Sequence, residues 1–168
     1  MHVPMPEGIQ LSANLPEWVR FSIADAVVLF GRMEQETIEI AWLLNDANLK
    51  EKLKLARAPA TDTFLTILTS FEQQEQGLKL DALKDGFTAL AQERNLIVHG
   101  AWTMVDERPW VVWHKFLQDD DSIIGEFFEP WRFERFTVKG EHMLDMLRRF
   151  HDMLEEKIGK KTSAVPRA

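Results

Sequence analysis

The chain contains no cysteine. It therefore has no disulfide, no thiolate to bind a metal and no cysteine nucleophile, which excludes zinc-finger, thioredoxin-like and cysteine-protease chemistry together. Nowhere do apolar residues run uninterrupted for the roughly eighteen positions that a membrane-spanning helix needs. The amino end, "MHVPMPEGIQLSANLPEW", lacks the basic and then apolar pattern of a secretory leader. Basic charge is in deficit, with 20 Lys and Arg against 27 Asp and Glu and a net charge of −7, which argues against a wide basic face for nonspecific duplex DNA. Phosphate-binding glycine loops and the "GxSxG" elbow are also missing. What remains is a chain of 168 residues, 45% apolar and 28% charged, the make-up of one compact domain with a single core. We expect a soluble, cytoplasmic protein without membrane contact.

Hydrophobic periodicity divides the chain. Residues up to about Ser12 include two prolines and no period, so they read as an irregular arm. From Leu15 and Pro16 a long helix begins, with Ile23, Val27, Phe30, Ile38, Ala41 and Leu44 at helical spacing. Gly31 and Glu34 interrupt that stripe; glycine there permits a close helix neighbour, and the carboxylate needs a partner. A second helical stretch, "NLKEKLKLAR", breaks at "APAT" and resumes as "DTFLTILTSFEQQEQ", with Thr61 or Asp62 as cap and Gly77 as end. The third helix runs from Lys79 or Leu80 to His99, with Leu83, Phe87, Leu90, Ile97 and Val98 on one stripe, and Gly100 reads as its left-handed stop.

After Gly100 the period changes to alternation. "WTMVDERPWVVWHKF" turns at "DERP", and "SIIGEFFEPWRFERFTV" keeps the aromatic and β-branched character, with "DDDS" (Asp119 to Ser122) as the second turn. That acidic turn lacks the glycine and ligand spacing of a calcium loop. A last helix spans about Lys139 to Lys157, and Lys160, Lys161 and Arg167 belong to a solvated tail. The expected architecture is a mainly α, up-down helical bundle with a helical core at about 15–100 and 139–158, a small antiparallel sheet inserted at about 101–137, and a tail at about 159–168.

Chemistry concentrates in "RNLIVH". At about 100° per residue, Asn95 and His99 lie roughly 40° apart and one turn removed, while Arg94 is about 140° from His99 and falls within the apolar stripe. Metal-free RNA cleavage needs one group to take the 2′-hydroxyl proton, one to protonate the leaving 5′-oxygen, and fixed positive charge on the phosphorane. His and Arg supply these roles. The negative pole of the helix dipole favours an imidazolium at the last turn, which suits His99 to proton donation, and Asn95 can orient imidazole or substrate. The structural reading uses the same residues: His99 caps carbonyls, and Arg94 forms an ion pair with Glu34. In the functional reading Glu34 supports the guanidinium.

"RNLIVH" near the end of a helix in a helical chain resembles the HEPN superfamily (higher eukaryotes and prokaryotes nucleotide-binding). In that family an Arg, often followed by a polar residue, precedes a His by a few positions on a bundle helix. The resemblance implies that Arg94, Asn95 and His99 line a cleft at a homodimer interface. It implies endoribonuclease activity without metal or cofactor, in a toxin or defence effector restrained by a protein antitoxin or similar partner. The inserted sheet and the acidic charge depart from the simplest family pattern. Because folds of this kind also serve as scaffolds, the alternative is a non-catalytic dimerisation, partner-binding or nucleotide-binding module. Other candidates read as structural: His2, His114, His142 and His151 are scattered, Glu141, His142 and Asp145 share one helix face without a second set of ligands, and Trp102, Trp110, Trp113 and Trp131 belong to a sheet that covers helices.

Overall fold

The computed structural model describes residues 11–12, 14–74, 79–117 and 120–163, without side chains at 11–12, 74, 114–117, 120–124 and 159–163. The protein is mainly helical, with a small antiparallel sheet before the last helix. In chain order the elements are β1 (Leu11–Ser12), α1 (Glu17–Leu44), α2 (Leu49–Leu55), α3 (Ala60–Gln74), α4 (Asp81–His99), β2 (Ala101–Val105), β3 (Arg108–Leu117), β4 (Asp120–Phe127) and α5 (Pro130–Ser163). Among the described residues, no helix is long and apolar enough to cross a membrane. Contacts divide the chain into two compact units, Met1–Leu29 with Ala91–Val138 and Phe30–Leu90 with Lys139–Ala168.

The first unit carries the sheet, whose strand order is β1-β2-β3-β4. The β2–β3 register, Val105 opposite Arg108, leaves a loop of two residues, Asp106 and Glu107. Both have positive φ, 48° and 62°, as the right-handed twist of a two-residue hairpin requires. Only this half of "DERP" is turn; Arg108 and Pro109 already belong to β3. The arm before the first helix is not wholly irregular, because Leu11 and Ser12 pair with Val105 and Met104 and so cover the edge of β2. The second turn also shifts: Asp120 to Ser122 lie in β4, Asp120 opposite Leu117, and Asp119 is outside the described residues.

The last helix begins at Pro130 rather than near Lys139. Proline has a preset φ and no N–H to satisfy, which suits the first helical position. Phe133, Phe136 and Gly140 then follow at steps of three and four and are buried, a helical period that overrides the β character of "WRFERFTV". The backbone stays helical to Ser163, through five residues expected in the tail.

Phe128, Phe133 and Trp102 form the aromatic centre of this unit. The Trp102 and Phe133 rings stack at 5.8 Å, Phe128 and Phe133 lie 4.5 Å apart, and Trp18 of α1 meets Phe133 edge-on at 6.3 Å. Phe128 of this cluster is completely buried, as are Val111, Phe136 and Ile97 of the same unit. Gly125 faces Trp110, where an added Cβ would come within 2.6 Å of the indole.

The second unit is built on phenylalanine. Phe87 of α4 stacks on Phe64 of α3 at 4.1 Å and meets Phe30 of α1 at 5.8 Å, and Phe71 meets Phe150 edge-on at 5.0 Å. Phe64 and Phe87 are buried to 1% and 0% exposure. Along α1, which runs through both units, the buried residues are Val19, Ala26, Leu29, Phe30, Met33, Thr37, Ile40 and Ala41; of the expected stripe Phe30 and Ala41 are buried, while Val27 is exposed and Ile23, Ile38 and Leu44 are half-buried. Thr37 is tolerated there because its hydroxyl donates to the Met33 carbonyl at 2.9 Å. Gly31 is exposed with nothing within 4 Å of an added Cβ, so it serves no close helix approach.

Helix starts in this unit use distinct devices. Asn48 and Glu51 make a reciprocal capping box on α2. The α3 helix begins at Ala60, with Thr63 N–H donating to the Pro59 carbonyl at 3.0 Å, so Thr61 and Asp62 sit inside its first turn and neither is the cap. Gly77, its expected end, lies outside the described residues. Glu72 of α3 accepts from the Leu80 N–H at 2.6 Å and from the Lys84 ammonium, so a neighbouring helix satisfies the N–H just before α4, whose first turn bonds to the Leu80 carbonyl.

Candidate functional site

Arg94, Asn95 and His99 all lie in the last two turns of α4, within the first unit. Leu90 and Ile97, four before and three after Arg94, are buried, so the apolar stripe holds this part of the helix and half-buries Arg94 between them. Asn95 and His99, one turn apart, are exposed. The Arg94 guanidinium donates from Nη1 to Asn95 Oδ1 at 3.1 Å. The bond fixes the direction of the Asn95 amide and couples two members of the motif.

The end of α4 is fixed by packing. Gly100 N–H donates to the Leu96 carbonyl at 3.0 Å. Its conformation is not left-handed; instead an added Cβ would collide with Val111 Cγ2 and approach the Leu96 oxygen at 2.6 Å. Glycine is needed because β3 passes too close for a side chain. Trp102 Nε1 then donates to the Ile97 carbonyl at 2.9 Å, satisfying one of the last carbonyls of the helix. His99 is thus held on a terminus anchored from both sides, with its own side chain outward.

The neighbouring Glu93 is a charge hub that sequence reasoning missed. Its half-buried carboxylate accepts from Arg132 Nε at 3.3 Å and from Arg135 Nη2 at 3.0 Å. Arg132 also pairs with Glu126 at 3.0 Å and lies over the Phe128 ring at 4.1 Å. Arg108 pairs with Glu129 and stacks 4.0 Å over Phe127. The available signal was the spacing of Arg132 and Arg135, three apart, in a segment whose aromatic content suggested a strand. Glu34, the expected support for Arg94, is a half-buried residue of α1 in the second unit.

The other candidates separate clearly. Glu141, His142 and Asp145 are exposed, and Asp145 pairs with Arg149 one turn on. Trp102 is packed as described, Trp110 meets Phe127 edge-on at 4.7 Å, and Trp131 is exposed with Arg135 5.0 Å from its ring. Trp113 Nε1 is buried and finds no acceptor among the described residues. His2 and the His114 side chain lie outside what is described. His151 is different: it meets Glu36 and Glu39 of another helix. No known protein family, curated protein or solved structure matches this chain.

Proposed function

We propose that this chain is a HEPN-like up-down bundle that cleaves RNA without metal, through Arg94, Asn95 and His99. The observation that carries the reading is the Arg94–Asn95 bond at 3.1 Å beside an outward His99 on one anchored helix end. In the proposed reaction the 2′-hydroxyl gives its proton to water, the 2′-oxygen attacks phosphorus and the bond to the 5′-oxygen breaks, leaving a 2′,3′-cyclic phosphate and a 5′-hydroxyl. His99 protonates the leaving oxygen, Arg94 stabilises the charge of the phosphorane, and Asn95, oriented by Arg94, positions the reacting groups.

The proposal includes a homodimer in which two motifs face one site. Support comes from exposed apolar side chains on the first unit, Trp18 (40%), Phe21 (61%), Val28 (54%), Trp131 (54%) and Val138 (66%), of which Trp18 and Val138 line one groove, apolar surface that a second copy can cover. A cytoplasmic toxin or defence effector of this kind requires a restraining protein, so expression of active protein alone is expected to slow growth. The test is cleavage of mixed-sequence RNA in excess chelator by wild type and His99→Ala. Loss of about a hundredfold or more is expected in the variant, with the fold intact by circular dichroism. The non-catalytic alternative predicts no chelator-resistant cleavage by either protein.

A further inference from the structure

The second unit brings together one imidazole and three carboxylates from two helices. Glu36 and Glu39 stand three apart on α1, His151 and Glu155 four apart on α5, so each pair shares a helix face. His151 Nδ1 is 3.1 Å from Glu36 Oε2 and 4.0 Å from Glu39 Oε2, and Nε2 is 3.8 Å from Glu155 Oε1. The side chains of His151 and Glu36 are only 18% and 19% exposed. Ligand atoms of Glu36, Glu39 and His151 all lie within 4.8 Å of one another.

A hydrogen bond accounts for only part of this arrangement. One proton on Nδ1 serves Glu36, but 4.0 Å is too long for a bond to Glu39. The outer oxygens of both carboxylates are already engaged: Arg148 Nε approaches Glu36 Oε1 at 3.4 Å, and Gln35 Nε2 donates to Glu39 Oε1 at 2.6 Å. Each carboxylate is therefore held from outside with its other oxygen turned to the imidazole, the support that ligating carboxylates receive in metal sites. Two ligands at about 2.1 Å from one ion, at tetrahedral or octahedral angles, stand about 3.0–3.4 Å apart, and Nδ1 and Glu36 Oε2 have that separation. Glu39 Oε2, 4.0 Å from Nδ1, comes to that distance of the imidazole by a side-chain adjustment of under about 1 Å. Glu155 lies 3.8 Å away on the opposite side of the ring, where its exposed side chain needs a small movement to accept an Nε2–H and orient it.

We infer that Glu36, Glu39 and His151 bind a first-row divalent cation such as Zn²⁺, Mn²⁺ or Fe²⁺, which ties α1 to α5, with Glu155 positioning the imidazole. A nitrogen donor with two carboxylates disfavours Mg²⁺ and Ca²⁺, and the absence of cysteine excludes a thiolate site. The site stands independently of the ribonuclease reading, whose residues are in the other unit.

The test uses the full chain freed of metal by chelator and titrated with Co²⁺, a coloured probe for such sites, alongside Zn²⁺ in thermal melts. Wild type is expected to take up one Co²⁺ per chain with visible absorption bands, and to melt higher with Zn²⁺, because an ion that binds only the folded state stabilises it. His151→Gln and Glu39→Gln should each weaken uptake about tenfold or more and remove the Zn²⁺-dependent rise. Glu39→Gln keeps the His151–Glu36 contact, so its fold is expected to survive even where His151→Gln does not. Absence of Co²⁺ uptake by wild type, or uptake equally strong in a folded Glu39→Gln variant, would overturn the site.

Discussion

The two compact units solve the burial of helix α4 in opposite ways. In the second unit Phe87 meets Phe64 and Phe30, ring against ring. In the first unit the later turns of the same helix carry Glu93, which meets Arg132 and Arg135, Arg94, which bonds Asn95, and the exposed His99, while Trp102 donates to the Ile97 carbonyl. One half of the helix is held by apolar area alone, which is insensitive to salt, and the other adds the Glu93 charge pairs to its buried Leu96 and Ile97. Polar chemistry is placed where the backbone is anchored by polar contacts, so outward residues such as Asn95 and His99 can be replaced without opening a core.

That contrast can be broken at its apolar end first. Phe87→Ala removes a fully buried ring with two aromatic partners and should cost about 3–5 kcal/mol in urea unfolding, with little dependence on salt. Glu93→Gln strikes the other half. It leaves Arg132, whose side chain is 16% exposed, with one carboxylate fewer, and should cost about 1–3 kcal/mol at low ionic strength. The same measurement in roughly 1 M salt should show a smaller difference.

Two smaller effects sharpen the comparison. Glu107 holds a φ of 62° in the β2–β3 turn, so Glu107→Gly should raise stability by about 1 kcal/mol by removing the left-handed penalty. In the second unit, Glu72 is held below the usual carboxylate range by its hydrogen bond to the Lys84 ammonium, and then by the Leu80 N–H. Its folded pKa lies below its unfolded one, so its contribution is present above about pH 4.3 and fades as the pH falls through the folded value. Stability against pH should consequently be flatter on the acid side in Glu72→Gln, with wild type and variant converging at the lowest pH.

Local signals were legible where the answer was local. The period of Leu83, Phe87 and Leu90 located α4, the "DERP" segment located a hairpin, and Gly100 marked a helix end. The physical reason for Gly100 was not legible, because it depends on Val111 of a strand that packs against it. The start of α5 was hidden by aromatic residues whose strand preference loses to Pro130 and the helical spacing of Phe133 and Phe136. The buried face of α1 was legible only in part: Phe30 and Ala41 turn inward as expected and Val27 does not, because both Val27 and Phe30 read as apolar and packing alone decides between them. Within the site, the positions of Arg94, Asn95 and His99 on one helix followed from their spacing. Their relation to Glu93, Arg132 and Arg135 did not, since those pairs join residues about forty apart in the chain.

The central claim, that the end of α4 carries RNA chemistry, is tested most directly by incubating mixed-sequence RNA with wild type and His99→Ala in excess chelator and identifying the product ends. The account predicts 2′,3′-cyclic phosphate ends from wild type and a loss of about a hundredfold or more in the variant. Absence of cleavage by folded wild-type protein, or equal cleavage by His99→Ala, would contradict it.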